Sequence, residues 1–333
     1  MTYFKGVPLN TSYPIAIIGA GVSGMTCARR LKASGIACVL FDKARGPGGR
    51  MATRRQDEAT FDHGAQYFRT RSDAFTAEVA RWRSAGAVAP WEGRFGIARS
   101  GAISEDPSTD KRWVGTPKMS SLGRYLAQGL DIQLQTRIVS LEGERGGWML
   151  HDEAGHTLGP FECVLISAPG PQAEALFPEG SSLKHRAEEL DYAPCWTLMA
   201  HYESPPISPW DAIKLSEGPL SWIARDSSKP GRPPGERWVL HASPTWSHQH
   251  LEDSADSVVS PLIDAFKALG APEPLSVQAH RWRYALSIPQ PGRPSYFTTE
   301  EGLGLMGDGL IQPRVESAWN SGKTLAERII ETL

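Results

Sequence analysis

Gly19, Gly21 and Gly24 stand as GxGxxG in the stretch GAGVSG, and an acid, Asp42, follows the first of them by 23 residues. The chemistry that uses this spacing is phosphate binding. A glycine at 19 permits a tight turn, one at 21 lets a pyrophosphate reach the backbone, and one at 24 lets a helix lie close to the strand before it. The free N–H groups and the positive dipole end of that helix then face the phosphates. Asp42 sits close to the spacing of about 20 residues at which an acid accepts ribose hydroxyls, and its charge disfavours a 2′-phosphate.

A second glycine loop, GPGGRMATRR at 46–55, follows shortly after. Gly48 and Gly49 allow close backbone approach, and Arg50 offers a fixed charge with a planar donor fork. A simple nicotinamide dinucleotide needs only the first loop. A flavin dinucleotide extends further, and a second clamp suits its diphosphate and ribityl chain.

Other chemistry-bearing residues are less organised. His248 and His250 form HxH in SHQHLEDS with no further ligand pattern, so no metal is expected. Ser167 and Ser243 lack a nucleophile elbow, which argues against a hydrolase. Lys214, Lys229 and Lys267 lie in unlike surroundings. Cys27, Cys38, Cys163 and Cys195 show no CxxC pair and read as buried free thiols of a cytoplasmic protein. Tryptophans at 196, 222, 238, 246 and 282 alternate with polar residues, and one or two of them could wall a planar substrate.

The elements that must position the first loop are legible. PIAIIGAG is a continuous apolar run, as in a fully buried strand. VSGMTCARRLKASG has helical spacing and stops at Gly35, and IACVLFD is a second buried strand ending at Asp42. Strand, turn, helix and strand make a βαβ unit with parallel strands. DAFTAEVARWRSAG and PKMSSLGRYLAQG read as helices, and VAPWEGRFGIARSG as short strands. DIQLQT, RIVSLEGE, GGWMLHDE and GHTLG read as one β-meander, and FECVLISAP as another buried strand. CWTLMAHYE, LSWIARDS, RWVLHASP and VQAHRWRYA suggest an antiparallel sheet with one wet face, and SADSVVSPLIDAFKALG a helix with a proline near its start. GLGLMGDGL is a strand and VESAWNSGKTLAERIIETL a closing helix.

The fold class that follows is α/β: a Rossmann-like dinucleotide domain in separate segments, with an inserted α+β domain containing an antiparallel sheet. The expected division assigns 14–65, 115–171 and 296–333 to the first domain, and 66–114 and 172–295 to the substrate domain. With 333 residues, 40% hydrophobic and 22% charged, the chain can bury two cores. A net charge of −2 excludes a nucleic-acid footprint. The longest apolar run, IAIIGAGV, is far short of the roughly 18 residues of a membrane helix. The start, MTYFKGVPLNTSYP, reads as a loose polar tail without a secretory signal.

IIGAGVSGMTCARRL, FDKARGPGGRMATRR and FDHGAQYF together resemble the flavin-containing amine oxidase superfamily. FDHGAQYF, HRWRYA at 280–285 and LGLMGDGLIQPRVESAWNSGKTLAERI resemble its renalase branch most. The resemblance runs from about Pro14 to Leu333 and implies non-covalent FAD, since no cysteine follows Cys195. It implies that Ser23 touches the diphosphate, that Asp42 holds the ribose beside Lys43, and that Gly49, Arg50 and Met51 form the second clamp. Ile138 is implied to meet the adenine through its backbone, and Asp308, after Gly307, to bond the ribityl chain or phosphate. Backbone N–H groups of Glu316, Ser317 and Ala318 are implied to face the flavin, and Gln66 and Tyr67 to border its ring. The substrate pocket is expected to include Gln66, Tyr67, His241 and Trp282.

The implied activity is oxidation of 2- or 6-dihydro isomers of NAD(P)H to NAD(P)+ by hydride transfer to flavin N5, with O2 reduced to H2O2. Aromatisation of the dihydropyridine drives that step, so stacking and orientation matter more than acid–base help. No lysine is evident in the sequence for ordinary amine oxidation. The alternatives are an oxidase of small amines and a flavoprotein without turnover. Partners are the small substrate and O2, with no nucleic acid or membrane, in a monomer or weak dimer.

Overall fold

The computed structural model describes residues 14–56, 59–289 and 292–332. The polar tail before Pro14 and the final Leu333 lie outside them. The chain divides into two units: residues up to Gly49, Gly123–Tyr192 and Ser287–Leu333 in the first, Arg50–Leu122 and Ala193–Leu286 in the second.

In the first unit, Ile15–Ile18 is buried at every position because it pairs in parallel on both sides, with Cys38–Asp42 and with Cys163–Ile166. A strand covered on both faces keeps no polar alternation, which explains the unbroken run IAII. The helix Val22–Ala33 returns between the first two strands and ends where Gly35 takes φ +79°. Six strands lie in the order 295–298, 303–306, 163–166, 15–18, 38–42, 131–134. Only Ser295–Thr298 runs antiparallel to its neighbour. The closing helix Val315–Thr332 buries Leu325, Ala326 and Ile329 and packs on Val22–Ala33. Leu325 and Ile329 each contribute roughly 1.5–3 kcal/mol through full burial.

One expected grouping is corrected. DIQLQT does not open the meander: Asp131–Leu134 leaves the helix Ser120–Leu126 and pairs in parallel with Val39–Asp42. A strand after a helical crossover can continue the parallel sheet. The meander itself has three strands, Ile138–Glu142, Trp148–Asp152 and Thr157–Phe161.

In the second unit, seven strands follow the order 276–287, 192–202, 236–242, 220–225, 212–215, 95–99, 102–105. The expected wet face is absent from its centre. Leu198, Ala200, Trp238 and Leu240 pack into one cluster with Leu262, Ile263 and Phe266 of the helix Val259–Lys267. The alternate positions Met199 and Val239, paired across the strands, close on Phe61. Both faces are therefore covered. Ala212–Leu215 pairs in parallel with Phe95–Ala98, whereas its pairing with Leu220–Arg225, and that strand's with Glu236–Ala242, are antiparallel.

The seams between units fall at 49/50, 122/123, 192/193 and 286/287, whereas the sequence places them at 65/66, 114/115, 171/172 and 295/296. Two pairings show why. Arg54–Gln56 and Ala59–Phe61 form a ribbon whose second strand contacts Glu236–Ala242. The helices Gly170–Glu174 and Ser182–Glu188 pack on each other, and the second also contacts Leu303–Met306 of the parallel sheet.

Candidate functional site

The first unit holds the glycine loops. Gly19 has φ +111°, and a β-carbon there would run into the Ser167 carbonyl. A β-carbon at Gly24 would meet the Gly19 carbonyl, so helix and turn touch as the motif requires. At Gly21, by contrast, nothing lies within 4 Å of the added carbon. The second loop is held against the first: Gly48 N–H donates to the Ala20 carbonyl at 2.9 Å, and Gly49, at φ +54°, faces Gly21. Ser23 is buried, and its Oγ has no hydrogen-bond partner among the described residues. Open space over Gly21 beside an orphaned hydroxyl is what a diphosphate would fill. These residues fit FAD.

Asp42 ends its strand with Oδ2 accepting the Ala20 N–H at 2.7 Å and Oδ1 accepting the Ala44 N–H at 2.8 Å. The carboxylate thereby braces the glycine turn. Lys43 Nζ donates to Gln172 Oε1 at 3.0 Å. Thr136 N–H donates to the Asp42 carbonyl at 2.9 Å, which carries the buried Ile138 to this end of the sheet. Gly307 N–H donates to Ser321 Oγ at 2.8 Å, and the buried Asp308 accepts from Ser287 Oγ at 3.3 Å. Glu316 and Ser317 lie in the first turn of the closing helix, where N–H groups have no intrahelical acceptor. The Ala318 N–H already donates to the Arg314 carbonyl at 3.1 Å.

Arg50 and Met51 fall in the second unit. Met51 is buried, and Arg50 Nη1 donates to the Ala285 carbonyl at 3.1 Å while its own carbonyl accepts the Ala65 N–H at 2.9 Å.

In the same unit three of the four expected pocket residues converge on the His63–Gly64 backbone. Trp282 Nε1 donates to the His63 carbonyl at 3.1 Å, and His241 Nε2 lies 3.3 Å from the same oxygen. Gln66 Nε2 donates to the Gly64 carbonyl at 3.0 Å and to the Asp62 carbonyl. Tyr67 lies on Trp222, ring centroids 5.3 Å apart, and Trp222 is the cross-strand partner of His241. His63, His280 and Trp282 form a ring cluster with centroids 4.7–4.9 Å apart. Burial pushes all three histidines down: His63 to about 3 with help from His280 and Arg54, His241 to about 4 with help from Lys229, and His280 to about 4 with help from Arg54. They are neutral at pH 7.

Beneath Gln66 lies an ionic cluster that sequence reading missed. Lys229 is fully buried and donates to Asp226 Oδ1 at 2.7 Å and to Gln66 Oε1 at 3.1 Å, with Asp62 Oδ2 3.7 Å away. Arg232 pairs with Asp62, whose other oxygen accepts from Thr53 Oγ1 at 2.6 Å and from the Met119 N–H at 3.0 Å. Burial raises the Asp62 carboxyl, but Lys229, Arg232 and Thr53 outweigh it and hold it below the usual range. Burial, reinforced by Asp62, pushes Asp226 up. In sequence Asp226, Lys229 and Arg232 sit in RDSSKPGR, with Lys229 163 residues from Gln66 and Arg232 170 residues from Asp62. The i, i+3 spacing of Asp226 and Lys229 was the one available signal.

The four cysteines are free and buried, and burial pushes Cys195 up to about 12 and Cys38 to about 11. His250 binds Asp253 at 2.7 Å and stacks on Trp246. Among the described residues no helix is long and apolar enough to cross a membrane.

Two family profiles match the chain: an NAD(P)-binding Rossmann-like domain over residues 17–81 and a flavin containing amine oxidoreductase over residues 106–330. The second covers more than half of the sequence, and the chain belongs to the flavin containing amine oxidoreductase family. It is a flavin-dependent oxidoreductase, and its cofactor is FAD. The tRNA 5-methylaminomethyl-2-thiouridine biosynthesis bifunctional protein of Magnetococcus marinus is 27% identical over 209 residues, 50% of this chain and 31% of its own length. A 4,4'-diapophytoene desaturase of Staphylococcus haemolyticus is 46% identical over 50 residues, 15% of this chain and 10% of its own. The chain thus spans about a third of the first relative and a tenth of the second.

Three solved structures share the fold. A candidate protoporphyrinogen oxidase from Exiguobacterium sp. 255-15 superposes with TM-score 0.76 at 15% identity, covering 97% of this chain and 100% of that one. Cyclohexylamine oxidase from Brevibacterium oxydans IH-35A gives 0.75 at 12% identity, covering 97% and 99%. Putrescine oxidase bound to putrescine gives 0.72 at 12% identity, covering 96% and 99%.

Proposed function

We propose that this flavoenzyme is an oxidase of the renalase type, acting on dihydronicotinamide dinucleotides reduced at the 2 or 6 position. The observation that carries this reading is the charge balance around Gln66. Asp62 and Asp226 are both engaged by Lys229 and Arg232, and His63, His241 and His280 are neutral. An ammonium substrate needs an acceptor charge, and here the buried carboxylates are already satisfied. A neutral dihydropyridine needs flat apolar surface and a few fixed polar atoms, which Tyr67, Trp222, Trp282 and the Gln66 amide supply.

When bound, FAD supplies the two-electron acceptor for hydride and passes the electrons to O2. Gly19, Gly21, Ser23, Gly24 and Gly49 would hold its diphosphate, with Asp42 and Lys43 at the ribose and Ile138 at the adenine. Gly307, Asp308, Glu316 and Ser317 would serve the ribityl chain and the ring. Attachment is non-covalent in this reading, because burial keeps the thiols protonated. Gln66 is locked at both ends, its oxygen by Lys229 and its nitrogen by backbone carbonyls, so its amide presents one orientation. His241 and Trp282 fix the His63 carbonyl, and no residue is asked to move a proton. The balance is dihydronicotinamide dinucleotide plus H+ plus O2 giving NAD(P)+ and H2O2.

Oxidation of a small amine is the second reading, favoured by the family match. In aerated buffer the first reading predicts one H2O2 and one NAD(P)+ for each 6-dihydro-NAD(P) consumed. Turnover of putrescine or cyclohexylamine, with the isomers inert, would favour the second.

A further inference from the structure

A cavity of about 280 Å³ opens in the second unit beside Val88–Pro90 and Trp113–Gly115, which pair as a two-stranded ribbon. Its apolar wall is Trp91, Phe95 and Trp113, and its cations are Arg83, Lys111 and Arg112. The guanidinium of Arg112 is buried, lies 3.8 Å over the Phe95 ring and pairs with Asp106. Its Nε has no hydrogen-bond partner among the described residues. Arg83 makes a contact 6.0 Å over Trp113, and among the described residues neither Arg83 nor Lys111 makes an ion pair. The acid Asp110 is occupied by Arg69 and Arg71, both at 3.0 Å, which leaves Glu92 as the one acid of the lining outside an ion pair among the described residues. The cavity therefore offers aromatic surface with an excess of positive charge, the pairing that suits a phosphorylated planar group.

Two walls tie the cavity to Tyr67 and to the buried Lys229 cluster. The Arg112 guanidinium also lies 5.4 Å from the Tyr67 ring, and Lys229 Nζ lies 5.4 Å from the Trp91 ring. Trp113 is bridged through its backbone to Phe68, the residue after Tyr67. The volume falls near the lower end of small-molecule pockets, roughly 300–1,000 Å³, and suits part of a dinucleotide rather than the whole.

We propose that this cavity binds the adenosine diphosphate portion of the dinucleotide substrate, the phosphates on Arg83 and Lys111 and the base against the tryptophans. This rests on the reading of the substrate as a dinucleotide, and it makes the cavity a specificity site that favours that anion over a polyamine.

The test uses the holoenzyme and ADP-ribose, which carries the phosphates but no reducible ring. Calorimetry should show binding that weakens with added salt, with adenosine at least about tenfold weaker. Arg83→Glu together with Lys111→Glu should weaken ADP-ribose by at least about tenfold while FAD content and the melting temperature stay unchanged. In turnover the same variant should raise KM for the dihydro dinucleotide about tenfold, leave kcat within about twofold, and leave the corresponding riboside unaffected. ADP-ribose that binds the variant as well as the parent, or fails to bind the parent, overturns the proposal. Binding without oxidation of any dihydronicotinamide would sink the functional reading and leave the cavity's assignment standing. Oxidation of the dinucleotide with KM unchanged in the variant would do the reverse.

Discussion

Lys229 brings a single ammonium, with no exposed surface, to two aspartates and an amide. Removing one partner of a buried ion pair strands the other, at a cost of about 3–5 kcal/mol. Lys229→Met should therefore lower the urea midpoint sharply, and Lys229→Met with Asp226→Asn should recover part of the loss; a double variant as unstable as the sum of both singles would refute the pairing. The neighbouring histidines give a pH signature. Their folded pKa values of about 3 to 4 lie below the ordinary 6.5, so the unfolded chain binds more protons between these limits. Stability is then fully present above about pH 6.5 and is lost as pH falls toward 4, by up to about 1.4 kcal/mol per pH unit for each histidine. Asp226, pushed upward, contributes with the opposite sign. Urea midpoints measured from pH 7 to 5 should fall, and His63→Phe should flatten that fall; midpoints constant over the range would contradict the burial of neutral rings. Beyond the i, i+3 pair of Asp226 and Lys229, little of this is written locally. Asp62 and Arg232 meet across 170 residues, a distance over which spacing carries no signal, whereas Gly24 lies against the Gly19 carbonyl five residues before it, a spacing the motif itself shows.

The element that binds the first unit together is the pair of helices Val22–Ala33 and Val315–Thr332. A β-carbon on Gly322 would collide with the backbone of Ser23, so the helices meet at the very turn that carries the open space over Gly21. Gly322→Val should therefore lower FAD content as well as stability, by more than the roughly 1–3 kcal/mol of ordinary overpacking, while Gly35→Ala, just past the exposed end of the partner helix Val22–Ala33, should leave FAD content intact. Equal FAD content in the Gly322 variant would show the helix contact to be incidental. Periodicity exposed both helices and the buried strands, since each writes its burial into adjacent residues. It failed for Asp131–Leu134, whose partner is set by the crossover helix, and for the wet face expected of the second sheet, which Phe61 covers from a distant segment.

For the molecule as a whole, the two units are built from alternating segments, and where one passes into the other depends on which sheet a short connecting helix or ribbon packs on, which adjacent residues do not write. FAD, held in the proposed reading by residues from 19 to 317, should stabilise the fold they share. Protein stripped of FAD should melt lower and recover on adding FAD, by about 2.7 kcal/mol at a hundredfold excess over Kd. A melting curve indifferent to FAD would remove the glycine loops from the account. The central claim is that bound FAD takes hydride from a misreduced nicotinamide. Anaerobic stopped-flow mixing reads it directly. The flavin's visible band should bleach in a single turnover with 6-dihydro-NAD(P), return when O2 is admitted, and stay unchanged with putrescine or cyclohexylamine. Bleaching by the amines, with the dihydronicotinamide isomers leaving the band untouched, would contradict it.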